Sequence, residues 1–348
     1  MSKESEIEEL KFKISKEPLN KANLYSLANL YIKENNFNSA QSLYRKILET
    51  DNNDTVALNG LGSICFYNKA YPEAIKYYKS VLNYDSKNFN ARYNLGNIYA
   101  ELKSFSAAVE NYDKAIEIEP ENSIAYNALG LLYFENKKIK EAIPYFKKSV
   151  EITPNEYEYY LNLANAIQAC GEYKKALSYY EEAYKINGND IKIIISLANC
   201  YASNQKYNDA YKFFDTALEI KPDYYYAYVC KALTCYEDSK QDDAIILLKQ
   251  AIEIEPDKKQ AYITLLNILL DEKRYEESID INKTLLKIDP KDYKLYVMLA
   301  NNYIMLEDYD NAFKYYKHAM KIAPHNKEVK LIYLDSLSRY IHNKLENK

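Results

Sequence analysis

FNARYNLGNIYAELKSFSAAVENYDKAIEIEPEN, residues 89–122, decides the fold. Leu95 and Tyr99, then Ala108, Tyr112 and Ala115, stand three and four residues apart, the spacing that keeps apolar side chains on one side of an α-helix. LKSF breaks the periodicity between the two runs. Pro120 ends the second run, because proline disfavours helical geometry in the residue before it. The stretch predicts two helices joined by a few residues, and helices joined so tightly pack antiparallel.

Outward from this stretch the pattern recurs. Pro18, Pro120, Pro154, Pro222, Pro256, Pro290 and Pro324 are separated by 34 residues or multiples of it. Ala40, Ala74, Ala108, Ala142, Ala176, Ala210, Ala244 and Ala312 share a second phase, broken by Ser278. Such a period means stacked two-helix units, each too thin to cover its own apolar face, so that burial comes from the neighbour. The expected fold class is all-α, an α-solenoid of nine units: 21–54, 55–88, 89–122, 123–156, 157–190, 191–224, 225–258, 259–292 and 293–326. Residues 1–20 and 327–348 are expected to cap it. Ile7, Leu10 and Ile14 give the first cap an apolar side. Tyr333, Leu334, Leu337 and Ile341 are expected to cover the ninth unit and leave Lys327, Lys330, Arg339 and Lys344 in water. Leu331 and Ile332 are surplus to that face and leave room for a homo-oligomer formed through the terminal helix.

Composition narrows the function. The net charge is −4 over 348 residues with the two signs interspersed, so no basic stripe is present to neutralise phosphates and no nucleic acid is expected. No apolar run approaches a membrane span, and MSKESEIEELKFKISKEP carries charges where a signal peptide needs apolar residues. A cytoplasmic, reducing location is expected. Cys65, Cys170, Cys200, Cys230 and Cys235 show no paired spacing and read as small buried residues. His318, His325 and His342 fit no triad or metal pattern, and no phosphate-binding glycine loop occurs. No enzyme activity, no cofactor and no metal are expected.

The chain resembles the tetratricopeptide-repeat (TPR) family. The third unit carries Leu95, Gly96, Tyr99, Ala108, Tyr112, Ala115 and Pro120; the fourth carries Tyr126, Leu129, Gly130, Tyr133, Ala142, Phe146 and Pro154. The small eighth and twentieth residues let two helices approach, and Tyr44, Tyr78, Tyr112, Tyr180 and Tyr316 fill the gaps between helices. The resemblance implies a right-handed superhelix whose concave wall is the first helix of each unit. Positions two, five, six, nine, twelve and thirteen would then face a ligand.

Read onto those positions, Asn29, Asn97, Asn165, Asn199, Asn267 and Asn301 at the ninth, with Asn94 and Asn162 at the sixth, form a candidate row for a peptide backbone. It is similar to the asparagine ladder in the TPR region of O-linked N-acetylglucosamine transferases, although no catalytic domain is present here. Bonding to neighbouring helices or to water is the competing reading. Phe66, Phe134, Ile195, Val229, Tyr236, Ile263 and Val297 make the rest of the wall apolar, which suits a partner helix equally. Glu101, Glu135, Glu237 and Asp271 occupy the thirteenth position, where a helix dipole disfavours acids; they either select Lys or Arg in a ligand or are solvated surface groups. The fifth positions hold no lysine, unlike TPR cochaperones that grip a carboxylate tail. The eighth unit departs from the pattern with Leu266, Ser278, Asn282 and Leu285, which predicts a soft joint near residues 259–292.

The expected function is a protein–protein interaction scaffold that binds a peptide segment or helix in its groove. A self-assembling structural protein and a regulatory subunit of an enzyme complex are the alternatives.

Overall fold

The structure, a computed structural model, describes residues 3–346; residues 1–2 and 347–348 of the two expected caps lie outside the described residues. It contains twenty α-helices and, among the described residues, no strand. After α1 (Lys3–Lys16) come nine first helices: α2 (Lys21–Lys33), α4 (Thr55–Tyr67), α6 (Phe89–Glu101), α8 (Ser123–Glu135), α10 (Tyr157–Ala169), α12 (Ile191–Ser203), α14 (Tyr225–Glu237), α16 (Lys259–Asp271) and α18 (Tyr293–Met305). Alternating with them are α3 (Phe37–Thr50), α5 (Tyr71–Tyr84), α7 (Phe105–Ile118), α9 (Ile139–Ile152), α11 (Tyr173–Ile186), α13 (Tyr207–Ile220), α15 (Gln241–Ile254), α17 (Tyr275–Ile288) and α19 (Tyr309–Ile322), and α20 (Lys327–Glu346) ends the series. The protein is an all-α solenoid of repeats. Its helices fall into two compact units, one ending at Ile186 and one beginning at Asn187.

Local chemistry sets the boundaries. Asn20, Asp54 and Asn88 precede α2, α4 and α6, and their side-chain oxygens accept the backbone N–H groups of Asn23, Ala57 and Ala91, which would otherwise be unpaired at a helix start. Between the helices of a pair the chain reverses through one residue of positive φ, for example Lys103 at 58°. Eight such turns use a non-glycine residue, and Gly171 at 80° serves the other.

Packing inside a pair follows the small-residue rule read from the sequence. Ala108 and Ala142 are fully buried. A Cβ built on Gly96 would lie 2.6 Å from the Tyr112 ring, so the glycine is what allows α6 to meet the aromatic side chain of α7. The eighth pair differs. Leu266 and Asn282, both fully buried, stand where the other pairs carry a small residue and, in most cases, an aromatic one. Asn282 Nδ2 donates to the Leu295 carbonyl at 3.1 Å, and Asn302 Nδ2 donates to Ser278 Oγ at 2.8 Å. These bonds tie α17 to α18. Backbone contact of α17 is correspondingly more extensive with α18 than with α16, whereas α7 packs chiefly on α6.

α20 corrects one expectation. Tyr333 and Tyr340, with buried Val329 and Ser336, form the face against α19, where Tyr333 meets Phe313 and Tyr316 edge-on and Tyr340 meets Tyr309 and Phe313. Leu334 and Ile341, expected to cover the ninth pair, are instead 57% and 49% exposed. The helix carries two apolar sides, and the aromatic one fits the gaps left by Phe313 and Tyr316.

Candidate functional site

Neighbouring first helices touch one another: α4 with α6, α6 with α8 and α8 with α10 in one unit, α12 with α14 in the other. The candidate asparagines lie on these first helices.

Four of the eight asparagines are engaged within their own pair. Oδ1 of Asn29, Asn97, Asn165 and Asn301 accepts the hydroxyl of Tyr44, Tyr112, Tyr180 and Tyr316 at 3.2, 2.6, 2.6 and 2.5 Å. Asn162 Nδ2 donates to Asn127 Oδ1 at 2.9 Å and so bridges α10 and α8. Asn199 Nδ2 makes a long contact of 3.8 Å with Cys230 Sγ. Asn94 is half-buried and Asn267 exposed. A carboxamide has two N–H groups beside the oxygen already occupied, and at Asn97 one of them is donated to the Tyr93 phenol.

Two of the four acids come together. Glu101 and Glu135 line a cavity of about 270 Å³ between α6 and α8, with Asn97 and Asn127 beside them and Phe66, Tyr93, Tyr112 and Ile124 forming its apolar surface. Burial pushes the Tyr112 phenol well above its usual range, and Tyr93, Glu135 and Glu101 add to the effect through their own charge. Thus the hydroxyl remains a neutral donor to Asn97 beside two carboxylates. Glu237 and Asp271 lie on other first helices, α14 and α16. Asp271 accepts the Tyr236 hydroxyl at 2.6 Å, and that bond raises the Tyr236 phenol; Glu237 is exposed. Asn127 and Tyr93, both at the fifth position, line the same cavity as Asn97, which the sequence analysis did not single out. The signal present in the sequence was their shared repeat position, one unit apart.

These features define a helical-repeat protein with a cavity that brings together amides, carboxylates and aromatic surface. Models described as "TPR repeat" match residues 62–103 and 96–137, and models described as "Tetratricopeptide repeat" match 22–54, 123–156, 168–233 and 213–340. The chain belongs to the tetratricopeptide-repeat family.

Among solved structures it is similar to Pseudomonas aeruginosa pilF (23% identity, 58% of this chain and 92% of that one, TM-score 0.52). It is also similar to a tetratricopeptide repeat protein from Parabacteroides merdae (19% identity, 72% and 98%, TM-score 0.50). YrrB, described as a TPR protein with an unusual peptide-binding site, aligns at 22% identity over 54% of this chain and 96% of its own, with a TM-score of 0.48. At these identities the likeness is one of fold. No curated protein matches the sequence. Among the described residues no helix is long and apolar enough to cross a membrane, and no group of three or more His, Cys, Asp or Glu is placed to hold a metal.

Proposed function

We propose that the protein is a non-catalytic interaction scaffold that holds an extended segment of a partner protein along α6 and α8. The observation that carries this reading is the cavity in which Glu101 and Glu135 stand beside Asn97, Asn127, Tyr93 and Tyr112. An Arg or Lys side chain of the ligand lays its aliphatic stem on Tyr93 and Ile124 and brings its charge to the two carboxylates. The free amide hydrogens of Asn97 and Asn127 meet carbonyls of the ligand backbone, which gives affinity without reading its sequence. Charge selects the side chain and the amides hold the chain.

Fluorescence polarisation against peptide pools with one fixed position tests this. Pools fixed as Arg or Lys are expected to bind best, and the Glu101→Gln, Glu135→Gln double variant to lose about tenfold in affinity at low salt, with Glu117→Gln on α7 as the unchanged control. Equal binding of acidic and basic pools, or indifference to the double variant, would remove the cavity from the function.

A further inference from the structure

The face of α20 turned away from α19 is an unpartnered apolar seam. Leu331, Leu334, Ile341 and Leu345 are 66%, 57%, 49% and 67% exposed, and with Ser338 they follow the spacing three, four, three, four. That is the a/d pattern of a coiled-coil seam across two heptads. At about 100° per residue the seam centres roughly 150° around the helix from Val329, Tyr333, Ser336 and Tyr340, so packing on α19 leaves it open.

We infer that this seam pairs with the same seam of a second copy, the two α20 helices running parallel. The charges beside it choose both partner and direction. In heptad terms Lys330 and Lys344 take g positions and Asp335 an e position, all exposed. A parallel pair sets each g residue against the e residue five positions later on the other helix, so Lys330 meets Asp335 of the other copy, twice by symmetry. An antiparallel pair sets g against g and brings Lys330 close to Lys344 of the other copy, which is repulsive. Ser338 then faces its own counterpart in the middle of the seam, and a polar layer there fixes the register at a cost in strength. Because the seam and the α19 face lie on opposite sides of the helix, each copy's repeats project away from the contact. Two heptads bury little area, so the association is weak and reversible.

Sedimentation velocity of the full chain across concentrations up to about 200 µM tests the inference. The weight-average mass should rise from the 40.7 kDa of one chain toward twice that value. Leu334→Glu with Ile341→Glu should hold it at one chain throughout, with circular dichroism showing unchanged helicity; both side chains are exposed, so the fold does not depend on them. Lys330→Glu should weaken the dimer about tenfold, and adding Asp335→Lys should restore it. A wild-type chain that stays monomeric at every concentration overturns the pairing, as does a dimer indifferent to the double glutamate variant. A dimer strengthened by Lys330→Glu alone overturns the parallel arrangement. None of these outcomes bears on peptide binding between α6 and α8.

Discussion

The Tyr112 hydroxyl donates to Asn97 Oδ1 at 2.6 Å across the pair formed by α6 and α7. The same bond recurs fifteen residues apart in four other pairs, with Ser63 replacing asparagine opposite Tyr78. Where the ring lacks a hydroxyl or is absent, Phe146 and Leu248 face Leu131 and Leu233, whereas Phe214 faces Asn199, whose Nδ2 lies 3.8 Å from Cys230 Sγ. Each tyrosine at this position therefore keeps a polar partner, because a buried hydroxyl without an acceptor costs more than the bond itself contributes.

A double-mutant cycle on this pair should show the coupling. Tyr112→Phe is expected to cost about 1 kcal/mol and Asn97→Leu about 1–2 kcal/mol, while the two together cost less than their sum by about 1 kcal/mol. Urea denaturation, read with hydrogen exchange in α6 and α7, measures it. Strict additivity would show the bond to be incidental. It also follows that replacing the whole asparagine row by alanine confounds ligand binding with folding.

Gly171 isolates the backbone term of the turns. Its φ is 80°, and a Cβ there would meet nothing within 4 Å, so Gly171→Ala carries only the left-handed penalty, about 1 kcal/mol. Lys137, at 63° in the equivalent turn, should respond in the opposite sense, with Lys137→Gly gaining up to about 1 kcal/mol. Thermal melts of both variants check the sign.

The repeat was legible because Pro120, Ala108 and Gly96 answer local requirements that recur in most pairs: ending a helix, burying a small face, admitting an aromatic ring. The site was less so. Asn97 lies where the pattern placed it, yet its oxygen is already held by Tyr112, a contact between positions nine and twenty-four that inspecting one helix at a time does not reveal. Glu101 and Glu135 lie on one cavity because α6 and α8 touch, whereas Asp271 is held by Tyr236. On α20 two apolar sides competed, and hydropathy alone could not rank Leu334 against Tyr333. The shape of the gaps beside Phe313 and Tyr316 decided it.

Acid should loosen the first pair before the rest of its unit. Burial alone would raise the Asp54 carboxyl, but hydrogen bonds from Lys21, Tyr25 and the Ala57 N–H outweigh it and hold the group below its usual range. A carboxyl depressed in the folded state contributes stability above its unfolded value, near 3.9, and loses that contribution as pH falls through the lower folded value. Protection of α2 and α4 from hydrogen exchange is expected to fall below about pH 4. Asp54→Asn keeps a capping side chain yet removes the charge, and should lower stability at neutral pH by about 1 kcal/mol, a figure kept small because Lys21 is 39% exposed. The acid-linked loss in α2 and α4 should then shrink, and a variant with the same acid profile as wild type would place the effect elsewhere.

The eighth pair offers the sharpest test of how packing is shared between neighbours. Oδ1 of Asn282 and of Asn302 is buried without a hydrogen bond, and each such oxygen costs about 1–3 kcal/mol. Asn267 is exposed in the position where Asn29, Asn97, Asn165 and Asn301 receive a tyrosine hydroxyl. Leu266→Ala with Asn282→Tyr restores the arrangement of the other pairs: the ring takes the space of Leu266, its hydroxyl reaches Asn267, and one unpaired oxygen disappears. The double variant is expected to gain about 1–2 kcal/mol. Leu266→Ala alone leaves a cavity and should lose about 2–5 kcal/mol, and Asn282→Tyr alone forces a ring against Leu266 and should lose about 1–3 kcal/mol. In the wild type, amides of residues 259–292 should exchange faster than those of residues 89–156, and the double variant should close much of that gap. If the double variant is less stable than the wild type, the bonds from Asn282 to Leu295 and from Asn302 to Ser278 are worth more than the packing they replace, and α17 is better regarded as part of the ninth pair than of the eighth.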